Sequence, residues 1–475
     1  MREKLKKWYN GCGGPKKYEL VLAGILLFIS AYFFCFRHDF YLTLNQSLTF
    51  DACLLNGKLM RFYTIVNHQA LTGTFSPEWP STLLASANYS IINYATFGIV
   101  CLPFYLLGKI AGITIPFLLY EAVIKTLYVV LDIYMAKIVY DICRLMKLDE
   151  TASRWITFLF ITSPILLFSS TMITHLDIFC VLFFLLGMRS LLKEKRKHML
   201  IFFMLAAAYK PFIVLSIIPI ILLKEKRFLY IIRDLIIMML GILVQSGVYR
   251  FDPGYERSQK FMSKTYDFIG RFFACGFDYT RNFYKENVSI FIISFCLICL
   301  AAYMIKKKNQ YYLFAFPLLV WGTFILFVQW HPNWLLLIVP FLVFAVAFTG
   351  YRKVMLLLQG FLAGFIILVS SVGWQGNYDN NIINGGVISQ LFGMTSEPKY
   401  EIANILTNQL GSIPLAIYGS VLSAVMVCIM QVVVMDCLKP DVKNKDTIEW
   451  ERGLIWFSIC PIIAFILYSI LACIL

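Results

Sequence analysis

The stretch TMITHLDIFCVLFFLLGMRSLLKEKRKHMLIFFMLAAAYKPFIVLSIIPIILLKEKR, residues 171–227, decides the class of this protein. Its apolar runs are separated by the basic connector 193–198 and by a Tyr-Lys-Pro turn at 209–211, and the last run ends in KEKR at 224–227. Apolar segments joined by Lys- and Arg-rich connectors are typical of membrane-spanning helices, whose basic connectors stay in the cytoplasm. The stretch therefore predicts helices that run back and forth across a bilayer, with both basic connectors on one side.

The composition of the whole chain supports the same class. Of its 475 residues, 60% are apolar and 15% are charged, and the mean hydropathy is +0.73. A net charge of +15 would suggest nucleic acid as the partner of a soluble protein, but here it follows from the cytoplasmic connectors. The 13 cysteines are scattered through apolar runs, where a free thiol packs as a small hydrophobe. The sequence thus predicts membrane lipids as neighbours, no nucleic-acid partner, and neither a disulfide framework nor a zinc site.

Orientation follows from the basic segments. The N-terminus carries six basic residues and one Glu before the first apolar run, which predicts a cytoplasmic N-terminus and an uncleaved signal anchor. All basic connectors are cytoplasmic only if residues 91–107 form an interfacial or re-entrant helix instead of a span. The chain then reads as an all-α polytopic membrane protein with about thirteen spans, namely 18–36, 116–140, 155–171, 177–192, a short hairpin of two at 199–223, 229–248, 288–305, 311–328, 334–350, 354–372, 412–437 and 454–475.

This arrangement places the long polar stretches together on the extracytoplasmic side of a plasma (inner) membrane. They are the first loop with its interfacial helix, 37–115, and the loops 249–287 and 373–411. Short basic connectors on one side and long polar loops on the other suggest a catalytic chamber that faces outward. We expect one domain, residues 1–475, without an appended soluble unit.

Two acids in the first loop are candidates for chemistry. Asp39 follows the first span closely, and Asp51 comes twelve positions later. A carboxylate held at the membrane surface can take a proton from an acceptor hydroxyl or bind a divalent metal ion. An acid in a polar loop is, however, usually a solvated surface group.

Charged residues near or inside the apolar segments are further candidates. Asp177 begins a predicted span, Lys210 lies at the turn of the 199–223 hairpin, and Glu121 and Lys125 share one face of a helix. Ionisable groups are costly inside a membrane and mark a functional or pairing role. For Glu121 and Lys125 a purely structural ion pair is the alternative.

The loops add groups that suit a sugar phosphate. His331 and Trp334 lie in the short turn QWHPNW, which points to a ligand contact, although two tryptophans there also fit an interfacial aromatic belt. Arg271 belongs to the basic loop 249–287, which suits a phosphate or anionic headgroups. Asp379 lies in the third loop, whose Asn and Gly residues suit sugar hydroxyls or ordinary turns.

No nucleotide-binding or hydrolase motif occurs in its expected setting. An activated substrate must therefore come from a ligand on the outer side, and a lipid-phosphate-linked sugar meets that need.

In this layout the chain resembles the GT-C superfamily of integral membrane glycosyltransferases, which includes protein O-mannosyltransferases and the aminoarabinose transferases of lipid A. The likeness rests on the order of features: an acid-bearing loop after the first helix, an interfacial helix ending at Leu107–Gly108, Asp177 at a helix start, the Lys210–Pro211 turn, and a late turn with His331.

The resemblance implies transfer of a sugar from a polyprenyl-phosphate donor to an envelope glycan, lipid or protein acceptor. Asp39, with Asp51 as competitor, takes the place of the catalytic base. The donor phosphate would meet Lys125, Lys210 and Arg271, and the substrates would meet Asp177, His331, Trp334 and Asp379. The acidic pair of several branches is absent, so a divalent metal is a possible cofactor and no other is implied.

Other functions are compatible with the same sequence. A membrane transporter or flippase would explain the helices and the buried charges, but inverted repeats typical of transporters are not found. A polymerase or ligase that uses lipid-pyrophosphate oligosaccharides, or a non-catalytic component of polysaccharide assembly, also fits.

Overall fold

The computed structural model describes residues 13–72, 87, 89–266, 268–278, 287–306, 309–373, 382–395, 397–406, 415–438 and 450–474. Asp379 lies outside these residues. The longer helices are α1 (Lys17–Tyr32), α2 (Arg37–Leu55), α3 (Phe62–Thr72), α4 (Ile91–Ala111), α5 (Phe117–Leu145), α6 (Glu150–Ile161), α7 (Asp177–Leu192), α8 (Arg196–Tyr209), α9 (Val214–Lys224), α10 (Phe228–Val248), α11 (Pro253–Tyr266), α12 (Ile290–Met304), α13 (Tyr312–Phe327), α14 (Val339–Phe348), α15 (Arg352–Gly373), α16 (Leu415–Leu438) and α17 (Arg452–Ile474).

Shorter elements connect these helices. They are the helical turns Pro164–Leu166, Phe268–Arg271, Val387–Leu391 and Ile402–Asn404, the 3-10 turns Leu59–Arg61, Pro211–Ile213, Pro332–Ile338 and Pro398–Tyr400, and the π-helical turn Leu167–Met172. Strands β1 (Gly276–Asp278) and β2 (Asn287–Ser289) pair in antiparallel fashion, with Phe277 opposite Val288. In the part that the structure describes, the fold is therefore a helix bundle with one small ribbon.

The length and composition of the helices identify a membrane protein. Among the described residues, six helices are long and apolar enough to cross a bilayer: Ile91–Ala111, Glu150–Met172, Phe228–Val248, Arg352–Gly373, Ala416–Leu438 and Arg452–Ile474. Shorter apolar helices are Pro211–Lys224, Ile290–Met304, Tyr312–Phe327 and Pro332–Phe348. The predicted all-α membrane class is confirmed at this level.

The basic connectors gather at one end of the bundle, called the basic end below. Arg196, from the connector between α7 and α8, lies 3.2 Å from Glu225, which follows α9. Lys353 at the start of α15 pairs with Glu451, just before α17. Connectors far apart in the sequence thus share one surface.

A buried ion pair joins α1 and α17 at the basic end. The Nε of Arg452 in α17 lies 3.0 Å from Oε1 of Glu19 in α1, and both side chains are almost completely buried. The same carboxylate oxygen accepts a hydrogen bond from Trp456 Nε1 at 2.9 Å. A second donor stabilises the buried charge, because a carboxylate removed from water needs partners for its lone pairs.

The three polar stretches meet at the opposite end, called the loop end below. The hydroxyl of Thr64 in α3 donates to Asp252, just before α11, and Asn67 Nδ2 donates to Gly254 O at 2.6 Å. In the third stretch, Gln390 Nε2 donates to the hydroxyl of Tyr41 in α2 at 3.1 Å. The first stretch therefore contacts both of the others.

Where the structure describes them, the first two polar stretches are largely helical, which the sequence interpretation as loops did not anticipate. Residues 37–55 form α2, whose hydroxyl groups bond to carbonyls of the same helix: Thr43 Oγ1 donates to Asp39 O at 2.8 Å, and Ser47 Oγ to Thr43 O at 2.7 Å. Polar side chains satisfied in this way can be buried, and most of α2 packs inside the protein. Similarly, residues 253–266 form α11.

Both ends of α4 lie near the loop end. Ile92 N, in its first turn, donates to Gln245 Oε1 near the end of α10, at 3.2 Å. After α4, Phe117 at the start of α5 packs its ring 4.1 Å from that of Tyr41 in α2. By length and composition α4 qualifies as a span, but these contacts favour the interfacial helix predicted for residues 91–107.

Candidate functional site

A buried cluster of polar side chains surrounds Asp177 at the loop end. Oδ1 of Asp177 lies 3.0 Å from Nζ of Lys210 and 3.3 Å from Nδ1 of His175. Its second oxygen, Oδ2, accepts a hydrogen bond from Asn333 Nδ2 at 3.2 Å. All four side chains are at least nine-tenths buried. A charge held by three partners in a water-poor site is positioned much more firmly than one at the surface.

Two breaks in the helices bring Asp177 and Lys210 together. The π-helical turn Leu167–Met172 and a left-handed residue, Thr174 (φ 60°), reverse the chain so that Asp177 begins α7. Lys210 has an extended backbone between α8 and Pro211, as expected before a proline, which disfavours helix in the preceding residue. π-turns of this kind are frequent at functional sites.

Aromatic and basic side chains lie beside the cluster. Nζ of Lys210 is 5.3 Å, and Cζ of Arg271 5.7 Å, from the ring centre of Trp334. The rings of His331 and Trp334 are 4.9 Å apart. Cations at this distance from an indole are attracted by its electron-rich face. Four predicted site residues, Lys210, Arg271, His331 and Trp334, thus lie around one point, next to Asp177.

His331 carries no positive charge in this buried setting. Burial, followed by the nearby charges of Arg271 and Lys210, lowers the pKa of His331 to about 2. The imidazole is therefore neutral at physiological pH, and the positive charges of the site come from the two long side chains. Such an arrangement suits an anionic group, since guanidinium and ammonium groups form strong charge-assisted hydrogen bonds with phosphate oxygens.

Tyr89 completes the cluster, although no sequence pattern indicated it. Its hydroxyl lies 2.7 Å from His175 Nε2, and its ring meets the imidazole edge-on, with centres 5.4 Å apart. The sequence analysis also did not predict Asn333 as a site residue, although it lies in the same HPNW turn as His331. Both are neutral residues, whose functional placement becomes visible only in three dimensions.

A cavity of about 320 Å³ opens beside the cluster, between α4, α8 and α10. Its wall includes Tyr89 and Lys210 together with Tyr63, Asn93, Tyr209 and Tyr255. Asn93 is almost fully buried, and its Oδ1 has no hydrogen-bond partner among the described residues. Aromatic walls with a few polar groups are typical of sites for small organic ligands.

Asp39 lies at the start of α2, which contacts the segment that leads to His175 and Asp177. It is partly buried in the first turn of α2, and its carboxylate has no ion-pair or hydrogen-bond partner among the side chains that the structure describes. Phe36 N, just before α2, donates to Met172 O at 3.1 Å. The start of α2 thus rests on the segment that leads to His175 and Asp177.

Asp51 lies elsewhere, enclosed between α2 and α4. It is fully buried, and a Cβ on Gly98 of α4 would be 2.6 Å from its Oδ1. Neither carboxylate oxygen has a hydrogen-bond partner among the described residues. Burial raises the pKa of Asp51 to about 7. Neither Asp51 nor Asp39 lines the cavity, so the choice between these two acids stays a prediction.

The ammonium group of Lys125 is hydrogen-bonded to groups of the protein itself. Its ammonium donates to the backbone carbonyls of Phe34 and Thr171, at 2.6 Å each, and to the hydroxyl of Thr174. The side chain is completely buried. With three donors used, Lys125 holds the end of α1 against the segment before α7, and this placement does not favour its predicted contact with a donor phosphate.

Glu121 does not point to Lys125 but to the third polar stretch. Its Oε2 accepts from Gln390 Nε2 at 2.8 Å and from the hydroxyl of Tyr41 at 3.2 Å. Glu121 therefore binds residues from two polar stretches. The distances do not support the alternative prediction of a simple ion pair between Glu121 and Lys125.

Comparisons with known proteins identify no relative. No protein-family model, no curated protein and no solved structure matches the chain. The likeness to membrane glycosyltransferases thus rests on the order of features in the sequence. No group of three or more His, Cys, Asp or Glu side chains suited to a metal ion occurs among the described residues, and the possible divalent metal stays a prediction.

Proposed function

We propose that this protein is a membrane glycosyltransferase that moves a sugar from a polyprenyl-phosphate donor to an envelope glycan, lipid or protein acceptor. The observation that supports it best is the position of Lys210 and Arg271 over Trp334, beside the buried Asp177. Two cations at the edge of a helical membrane bundle suit the phosphate of a lipid-linked substrate.

The topology we propose has about thirteen crossings, with the basic end in the cytoplasm and the loop end outside a plasma membrane. Support comes from the segregation of contacts: connectors such as 193–198 and 224–227 meet at one end, and the stretches around Thr64, Asp252 and Gln390 meet at the other. Basic connectors are retained in the cytoplasm. The site then lies on the extracytoplasmic side.

In the proposed reaction, the bond between the sugar's anomeric carbon and the phosphate oxygen breaks, and the phosphate leaves with the bonding electrons. Lys210 and Arg271 stabilise that developing negative charge. Fixed charges in a water-poor site are effective because they need no reorganisation during the reaction. Asp177 holds Lys210 in place, and neutral His331 adds an imidazole without adding charge.

The test uses the full-length protein in lipid vesicles with a radiolabelled polyprenyl-phosphate hexose and an envelope extract as acceptor. We expect label to move from the donor to the acceptor, and Arg271→Gln to weaken donor binding. Arg227→Gln, an exposed arginine at the basic end, is the matched control and should bind donor normally. Movement of intact donor across the bilayer without sugar transfer would contradict the proposal and indicate a flippase.

A further inference from the structure

His175 has a distinct neighbour at each ring nitrogen. Nδ1 lies 3.3 Å from Oδ1 of Asp177, close enough for charge interaction but without the alignment of a hydrogen bond, and Nε2 lies 2.7 Å from the hydroxyl of Tyr89. With the ring proton on Nδ1, beside the carboxylate, Nε2 is the acceptor and the tyrosine hydroxyl donates to it. A carboxylate, an imidazole and a hydroxyl in this order form the type of chain that hydrolytic enzymes use to remove a proton from an attacking hydroxyl.

Only one member of this chain reaches the cavity. Tyr89 lines the 320 Å³ cavity, whereas His175 and Asp177 are 5% and 2% exposed and do not line it. Tyr89 is therefore the member of the chain that a hydroxyl group bound in the cavity can contact. The buried Oδ1 of Asn93, on the same wall and without a described partner, offers an acceptor for a second hydroxyl of the ligand. Both features suit a polyhydroxylated acceptor such as a saccharide.

From this geometry we infer that Tyr89, His175 and Asp177 form a proton relay that deprotonates the acceptor hydroxyl. The inference rests on the proposed transferase function. The acceptor oxygen attacks the anomeric carbon, its proton passes to the Tyr89 oxygen, and the tyrosine proton passes to His175 Nε2. The sugar–phosphate bond breaks with its electrons on the phosphate. Asp177 stabilises the imidazolium, which later returns the proton to solvent or to the product phosphate.

The relay offers an alternative to Asp39 as the base. The carboxylate of Asp39 contacts neither Lys210 nor Asp177 and is not part of the described cavity wall. Tyr89 and Lys210, in contrast, line the same cavity. A base must lie within hydrogen-bond reach of the proton that it removes, and a hydroxyl in the cavity, next to a phosphate at Lys210, is within reach of Tyr89.

The test compares His175→Ala, Tyr89→Phe and Asp39→Asn in the vesicle transfer assay. We expect His175→Ala and Tyr89→Phe to lower turnover by roughly 10²–10⁴-fold at unchanged donor binding, and Asp39→Asn to lower turnover less than either of them. Added imidazole should restore part of the activity of His175→Ala, which a purely structural histidine would not show. Controls from the basic end are His198→Ala and Tyr303→Phe. Loss of turnover in Asp39→Asn, with normal rates in the other two, overturns the relay.

A second measurement does not depend on transfer. Diethyl pyrocarbonate modifies free imidazole nitrogens, and the extent at His175 is measured by mass spectrometry. Because the Tyr89 hydroxyl covers Nε2, Tyr89→Phe should raise modification of His175 several-fold, while Tyr303→Phe should not. An unchanged rate would show that the hydrogen bond is absent and would overturn the relay. If the rate rises but wild type transfers no sugar, the proposed function fails and the relay serves another acceptor.

Discussion

Replacing Lys210 by Met tests whether the cluster is built around an ion pair. Considered from the sequence alone, this change should remove a phosphate contact and leave the fold intact. The structure predicts more, because Lys210 lies 3.0 Å from Asp177 and both are buried. Without the ammonium, the close polar partners that remain to Asp177 among the described residues are Asn333 and His175.

The expected loss is large. Removing one partner of a buried ion pair leaves an uncompensated charge and typically costs about 3–5 kcal/mol. Asp177→Asn, combined with Lys210→Met, removes the stranded charge, so the double variant should be more stable than Lys210→Met alone. We expect a coupling energy of roughly 0.5–3 kcal/mol between the two positions.

The assay is reversible unfolding of the purified protein in mixed micelles with increasing dodecyl sulfate, followed by circular dichroism. Lys193→Met, at an exposed position on the basic end, is the control and should stay within about 0.5 kcal/mol of wild type. If Lys210→Met is as stable as this control, the pair does not exist in the folded protein, and the geometry on which the site is argued is wrong.

Three further changes probe other parts of the molecule. Burial raises the pKa of Asp51 to about 7, so above pH 4 the folded state holds a proton that the unfolded state has lost. The free energy of unfolding should therefore fall as pH rises from about 4 to 7. Unfolding curves of Asp51→Asn should show a smaller fall over the same range. Glu19→Gln leaves the buried guanidinium of Arg452 without its carboxylate partner and should lower the free energy of unfolding by about 3–5 kcal/mol. An unchanged free energy of unfolding would show that this ion pair is not formed. For topology, a membrane-impermeant thiol reagent should label Lys399→Cys, in the third polar stretch, from outside whole cells, and should not label Lys193→Cys; the opposite pattern would reverse the proposed orientation.

The apolar helices could be predicted because hydropathy alone carries their signal. A helix such as α10 or α17 is apolar over most of its length, and charged residues stand at its start. Helix α2 carried no such signal. Its hydroxyl and amide side chains look like those of a solvated loop, and they are buried because residues such as Ser47 bond to carbonyls of their own helix and because α2 packs on α4. Those contacts are not encoded in local composition.

The candidate site could be predicted only in part, for a similar reason. Asp177, Lys210 and His331 stand out because ionisable groups interrupt apolar segments. Tyr89 and Asn333 are neutral, and tyrosine and asparagine occur in many other places in the chain, so nothing in the pattern separates them. Lys125 shows the converse. A lysine inside an apolar helix predicts a ligand contact, but the ammonium group of Lys125 donates hydrogen bonds to the backbone carbonyls of Phe34 and Thr171.

One carboxylate oxygen of Asp177 connects the donor-phosphate site with the proton relay. Oδ1 of Asp177 faces both Lys210 and His175. A donor phosphate that draws the Lys210 ammonium toward itself leaves this oxygen to His175 and brings further negative charge, so accepting a proton becomes more favourable for the imidazole. Donor binding should therefore precede and promote removal of the acceptor proton. We expect polyprenyl phosphate bound in the cavity to slow pyrocarbonate modification of His175, because the lipid covers the cavity wall at Tyr89, and we expect Arg271→Gln to weaken that effect. Modification that is equally fast with and without the lipid would show that the phosphate does not act on the Asp177 cluster.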